Sequence, residues 1–306
     1  MKEERIVLTF DVGTQSSRAM LVTQSGDILG KAQKKHEPPY YSVEPGFAEQ
    51  KADFYYEHIC QASLELKKIC ADKWDKIEAV TLTTIRDTTV CVDEKGTPLR
   101  PAVLWLDKRR AEGRPAMSQI TRLMFKAVGM EETANLQYQK SHCNWIMQNE
   151  PEIWKNCYKF LFLSGYLTFK LTGHMKDAAA CLVGHLPIDA QSRGWQKKGA
   201  LTRPVFDVEA EKLCEVAESG EILGKITAQA AEDTGLPEGL PLIASGSDKA
   251  CEILGLGCDE KEKAAVGFGT TATITFTMNR YLEPERFIPP YISIIPGCFS
   301  PEIEIF

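Results

Sequence analysis

Asp11-Val12-Gly13-Thr14-Gln15-Ser16-Ser17-Arg18 is the stretch on which the fold of this chain turns. An apolar, β-rich run at residues 5–10 meets an acid and a glycine, then four hydroxyl or amide side chains, then an arginine. A second strand is expected at residues 19–23 and a third at 28–33, with turn chemistry in Gln24-Ser25-Gly26-Asp27 between them. The stretch is therefore the first turn of a β-meander. Gly13 lets the backbone turn tightly and approach a ligand. The turn's N–H groups and the Thr14, Ser16 and Ser17 hydroxyls can donate to phosphate oxygens, and Arg18 adds a charge-assisted contact. An acid at a strand end suits a hydrated Mg2+ ion. The same pattern equally suits a polar hairpin with an exposed aspartate.

Outward from this turn, Asp53 is positioned to cap a helix that places Tyr55, Ile59, Ala62, Leu66 and Ile69 on one face. Strands are expected at residues 77–84 and 88–92, the latter closed by the turn Asp93-Glu94-Lys95-Gly96. Three strands, a helix and more strand match the order of a ribonuclease H-like half-domain of actin-type ATPases, an order that many α/β folds share. Residues 107–170 look mostly helical, with a stop at Thr172-Gly173. Further helices are expected at 209–219 and 228–234, a short strand at 242–245, and a strand-rich stretch at 264–277.

Three more polar clusters could carry chemistry. In Ala244-Ser245-Gly246-Ser247-Asp248-Lys249-Ala250 a buried strand ends in small residues and presents Asp248 where a helix begins. Such a carboxylate can accept a proton from a hydroxyl nucleophile, and the helix end is expected to keep it ionised; alternatively Asp248 is an N-cap. In Gly267-Phe268-Gly269-Thr270-Thr271-Ala272, glycine and threonine between strands suit close approach to phosphate, or an ordinary β-turn. Arg86-Asp87-Thr88-Thr89 and the later Trp105 could bind adjacent hydroxyls and a carbon backbone, or form an ion pair and a core residue.

The bulk numbers narrow the class. The chain has 306 residues, 43% hydrophobic and 25% charged, enough for about two globular domains. A net charge of −6 argues against a nucleic-acid or anionic-membrane surface. No apolar run approaches the ~20 residues of a membrane span, and the charged start Met1-Lys2-Glu3-Glu4-Arg5 lacks a signal peptide's apolar stretch. A cytoplasmic location is expected. Ten scattered cysteines without a CxxC pair read as reduced core thiols, and five histidines show no metal-binding spacing.

These pieces, in this order and with these gaps, resemble the FGGY carbohydrate kinases from about Ile6 to the end. Asp11, Gly13 and Thr14 match that family's Asp-x-Gly-Thr phosphate motif. Pro45-Gly46-Phe47-Ala48-Glu49-Gln50 matches the segment before its first helix. Leu99-Arg100-Pro101-Ala102, Trp105, Asp107 and Arg109 match a further segment. Gly246 and Asp248 match its Gly-x-Asp, and Gly269-Thr270 the turn that opens its second domain. The resemblance implies an α/β fold: a ribonuclease H-like (actin-like ATPase) domain with a mixed sheet flanked by helices, at residues 1–260. The beginning of a second, truncated ATP-binding domain follows at 261–306. It implies transfer of the γ-phosphate of ATP to a hydroxyl of a sugar or polyol. Asp248 would act as base and Asp11 would hold Mg2+ through water. Gly13, Thr14, Gln15, Ser16, Arg18, Gly269 and Thr270 would contact the nucleotide's phosphates. Arg86, Asp87, Trp105, Tyr138, Asp248 and Lys249 would face the acceptor. A homodimer is compatible with the family.

Arg86-Asp87-Thr88-Thr89 is most similar to the Arg-Glu-Thr-Thr of the glycerol kinase branch. Three departures stand out: Asp87 shortens the glutamate, Lys249 replaces a glutamine, and His142-Cys143-Asn144-Trp145 replaces a Lys-apolar-x-Trp pattern. Family members are longer, and the ending Ile303-Glu304-Ile305-Phe306 reads as a truncation that cuts through the ATP site. Two other classes compete: a sugar- or polyol-binding module without turnover, and another actin-like ATPase.

Overall fold

The computed structural model describes residues 5–260, 262–268, 272–285 and 288–305. Its centre is a six-stranded mixed sheet in the spatial order Ile222–Lys225, Pro241–Ile243, Ile77–Thr84, Ile6–Val12, Ser16–Thr23, Ile28–Lys35. Pro241–Ile243, Ile77–Thr84 and Ile6–Val12 run parallel, and the outer strands are antiparallel to their neighbours. Alternation along Ile6–Val12 decides which face is dry: Ile6, Leu8, Phe10 and Val12 are buried, whereas Val7, Thr9 and Asp11 are half-buried. The dry face packs against the helices Ala52–Ile69, Leu163–Thr172 and Ala228–Thr234 in one core. The other face is polar where Asp11, Arg18 and Thr83 pair across neighbouring strands.

The meander, the strand Ile77–Thr84 and the helix Ala228–Thr234 lie where expected, and Gly173 and Gly235 end their helices in left-handed conformations at φ 77° and 71°. Several expectations are corrected. The helix Ala52–Ile69 is capped by Lys51 without a side-chain bond. Asp53 instead receives Tyr166 Oη at 2.6 Å and Lys170 Nζ at 3.0 Å, tying two helices together. Ile69 is exposed rather than on the buried face. Residues 107–118 are not helical, because the Asp107 carboxylate holds the Ala48 and Arg109 amides and Pro115 follows. The strand Lys159–Phe162 interrupts the helices beyond by pairing with Thr89–Val92. Residues 209–219 form one short 3-10 turn, Ala210–Lys212, and a strand, Glu215–Ala217, that pairs with Lys176–Ala178. Sheet pairing there overrides local helical propensity.

All ten cysteines are free thiols, eight of them buried. Among the described residues no helix is long and apolar enough to cross a membrane.

Asp177 is a buried carboxyl that accepts Ser164 Oγ at 2.6 Å and the Ala178 amide at 2.8 Å. Burial raises its pKa to about 7, despite those bonds. Between the unfolded value of 3.8 and about 7, the folded state holds a proton that the unfolded chain has lost. Stability contributed by this group therefore falls as pH rises through that window, by up to about 1.4 kcal/mol per pH unit. Urea unfolding at pH 5 and pH 7 should show this fall, and Asp177→Asn should flatten it. An unchanged pH slope in the variant would refute the assignment.

Candidate active site

Three parallel strands end side by side, and the loops beyond their C-terminal ends carry the polar clusters read from the sequence. Such strand ends are where open α/β sheets bind ligands. Asp11 sits near the end of the first strand. Arg86 and Asp87 follow the second. Ser245 to Asp248 follow the third, held by Thr83 Oγ1, which donates to the Gly246 carbonyl at 2.9 Å.

Asp248 is the first residue of the helix Asp248–Gly255, and the N-cap is Ser247, whose side chain accepts the Ala250 amide. One Asp248 oxygen accepts the Lys249 amide at 2.8 Å. Burial raises the Asp248 pKa above the ordinary aspartate value. The Lys249 amide and the Arg86 and Lys249 charges oppose the rise, and Asp11 adds to it. Desolvation thus outweighs the groups that favour the charged form, without reversing the expectation that Asp248 is ionised. The Arg86 guanidinium lies 4.9 Å over the Tyr291 ring and 3.3 Å from Glu302. Burial lowers its pKa, but Tyr291, Glu302 and Asp248 more than offset this and keep it charged.

The phosphate-loop reading is only partly met. The hairpin closes through the Gly13 amide and the Ser16 carbonyl at 2.9 Å. Gly13 is not in the left-handed region, and an added Cβ would meet only the Ser16 carbonyl at 3.5 Å, so the turn itself does not demand glycine. Ser16 and Ser17 point inward: Ser16 Oγ accepts Gln33 Nε2 at 2.9 Å, and Ser17 Oγ pairs with His36 at 2.9 Å. Burial lowers the His36 pKa to about 4, so its ring is neutral at neutral pH. Arg18 pairs with Asp11 at 2.6 Å. Gln15 is exposed. Thr14 Oγ1 accepts Trp105 Nε1 at 3.0 Å, which brings a 54% exposed indole over the loop. Gly269 and Thr270 lie outside the described residues.

A cavity of about 770 Å3 opens in front of these groups. Thr14, Arg86, Asp87, Trp105, Asp248 and Lys249 all line it. Lys249 Nζ is paired with Glu252 at 2.7 Å. Tyr138 does not line the cavity. It bonds Gln148 Nε2 at 3.1 Å, while Gln137 on the same helix faces the cavity in its place. Sequence reasoning also missed His185, Gln196 and Tyr291 in the lining. Gly184-His185 closing the apolar run Cys181-Leu182-Val183 was the one legible signal.

The motifs around Glu49 and Trp105 to Arg109 serve a different purpose. Arg109 is buried between Asp107 at 2.8 Å and Glu49 at 2.7 Å, and stacks 3.9 Å over Phe47 and 4.5 Å over Trp145. Arg100 joins Glu49 and Glu150. This network braces the segment that carries Trp105.

The pattern of the FGGY family of carbohydrate kinases, N-terminal domain, matches residues 6–255. The chain belongs to the FGGY carbohydrate kinases. The xylulose kinase of Lactococcus lactis is 23% identical over 298 residues, covering 96% of this chain and 58% of that protein. The glycerol kinase of Alkalilimnicola ehrlichii is 26% identical, covering 87% and 53%. This FGGY chain thus spans little more than half the length of these curated relatives. The crystal structure of xylulose kinase from Rhodospirillum rubrum superposes with a TM-score of 0.81 at 21% identity, over 98% of this chain and 61% of that one. That likeness shows the ribonuclease H-like fold of the family.

Proposed function

We propose that this chain is the acceptor-binding part of a kinase that moves the γ-phosphoryl group of ATP to a hydroxyl of a sugar or polyol. The observation that carries the reading is that Arg86 and Asp248 line one cavity at the ends of adjoining parallel strands, with Asp11 on the neighbouring strand among the charges that act on Asp248. In this reading residues 1–260 bind the acceptor and 261–306 begin the nucleotide-binding domain.

Asp248 accepts the proton of the attacking hydroxyl. One of its oxygens is fixed by the Lys249 amide, which leaves the other for the acceptor. In phosphoryl transfer the base mainly orients the nucleophile, so an aspartate suffices. Trp105 offers a flat apolar face to the acceptor's carbon backbone while its N–H is held by Thr14. Arg86, oriented by Glu302 and Tyr291, donates to a hydroxyl. Asp11 fits a magnesium ion that keeps most of its water: it is a half-buried carboxylate at a strand end, and no group of three metal-ligating side chains occurs among the described residues. Such an ion supplies charge neutralisation for the nucleotide's phosphates. Arg18 balances Asp11 across the strand pair.

A second reading is a sugar-binding module without turnover. Calorimetry with glycerol, erythritol, ribulose, xylulose and gluconate, together with acceptor-dependent ADP release, separates the two. Acceptor binding with ADP release supports the kinase. Binding without ATP affinity or turnover supports the module. No binding of any acceptor overturns both.

A further inference from the structure

Arg86 and Asp87 are adjacent in sequence but face opposite ways. Arg86 turns to Glu302, Tyr291 and Asp248. Asp87 turns to His185, accepting its backbone amide at 3.1 Å and its ring Nδ1 at 2.6 Å. Both Asp87 oxygens are thereby engaged by one residue. Asp87 adopts φ +47°, an unusual backbone for a non-glycine residue that tends to persist only where the surroundings fix it. Gly184 completes the fit: a Cβ there would lie 2.2 Å from Asp87 Oδ1. The Asp87 carboxylate accepts from Nδ1, so Nδ1 carries the hydrogen and, in the neutral ring, Nε2 is left as an acceptor. The ring's other nitrogen, Nε2, has no partner among the described residues, and His185 lines the cavity beside Phe206.

Gln196 also lines the cavity, with its Nε2 spent on the Ile188 carbonyl at 3.1 Å and its Oε1 closed to solvent. The charges that act on Asp248 are those of Arg86, Lys249 and Asp11, whereas those acting on Asp87 are His185 and His142. Asp189 and Glu283 line the cavity as well and add negative charge.

We infer that His185, oriented by Asp87, accepts a hydroxyl of the acceptor beyond the one that is phosphorylated, so that the site selects neutral polyhydroxylated chains of four or more carbons over glycerol and over sugar acids. The inference rests on the reading of the Asp248 cavity as an acceptor site. Carboxylate-bearing acceptors meet Asp189 and Glu283 in the lining, while its cations Arg86 and Lys249 are already paired with Glu302 and Glu252, so such acceptors are disfavoured.

Calorimetry on the chain with glycerol, erythritol, ribulose, xylulose and gluconate tests it, using His185→Asn. Asparagine can keep a donor for Asp87 while removing Nε2, which separates the contact from the fold. The wild type should bind erythritol or a pentulose at least about tenfold more tightly than gluconate. His185→Asn should weaken that neutral acceptor about tenfold or more, and by a factor at least about three larger than its effect on glycerol. Equal losses for all acceptors, no loss, or a preference for gluconate would overturn the inference while leaving the acceptor site standing. Failure of the wild type to bind any acceptor would overturn the acceptor-site reading itself.

Discussion

Asp248→Asn is expected to lower acceptor-dependent ADP release at least about 100-fold while leaving acceptor affinity within about threefold, since a positioned base contributes roughly 10²–10⁴ in rate. Asparagine preserves the oxygen that accepts the Lys249 amide and the shape of the first helical turn. It removes only the ability to take a proton. The pH profile gives an independent check. The carboxyl must be ionised to work, and burial places its pKa above the ordinary 3.8. Activity should therefore fall on acidification at a higher pH than an exposed aspartate would give, and this limb should vanish from the residual rate of the variant. Near wild-type turnover in Asp248→Asn would mean that the base lies elsewhere.

Arg109→Ala is expected to destabilise the fold by about 3–5 kcal/mol, the range for removing one partner of a buried charge pair. Its guanidinium serves two carboxylates at once, and the Asp107 side chain has no exposure to solvent through which to recover. The loss should also reach the cavity, because Trp105 is held two residues before Asp107. Acceptor affinity measured below the transition should fall together with the urea midpoint. Arg109→Lys should recover only part of either, since an ammonium cannot bridge Asp107 and Glu49 with a planar fork or stack on Phe47 and Trp145. A urea midpoint matching the wild type would show that the network is dispensable.

Five of the six strands of the central sheet were legible because the first strands alternate between dry and wet positions and the turns carry glycine and aspartate where the backbone needs them, whereas the edge strand Ile222–Lys225 was not read. The family resemblance placed Asp11, Arg86, Trp105 and Asp248 together, and all but Asp11 line one cavity. What escaped the sequence depended on partners distant along the chain. Asp53 looks like a cap until Tyr166 and Lys170 claim it. Ser16 and Ser17 look like phosphate donors until the pleat turns them toward Gln33 and His36. Tyr138 and Gln137 are adjacent on one helix, and only its rotation decides which faces the cavity. His185 lies 98 residues from Asp87, a separation that no local pattern spans.

The parallel arrangement of Pro241–Ile243, Ile77–Thr84 and Ile6–Val12 has a consequence for how such a protein can change over time. The spacing between the residue proposed as base, the residue proposed for the metal and the arginine beside them is fixed by backbone hydrogen bonds between strands roughly 4.8 Å apart, not by side-chain packing. Substitutions within the core can accumulate without misaligning them. The far wall of the cavity, built from Gly184, His185 and Gln196 on irregular segments, has no such ladder. Drift in that wall can retune which acceptor is held while the phosphoryl-transfer geometry is inherited unchanged.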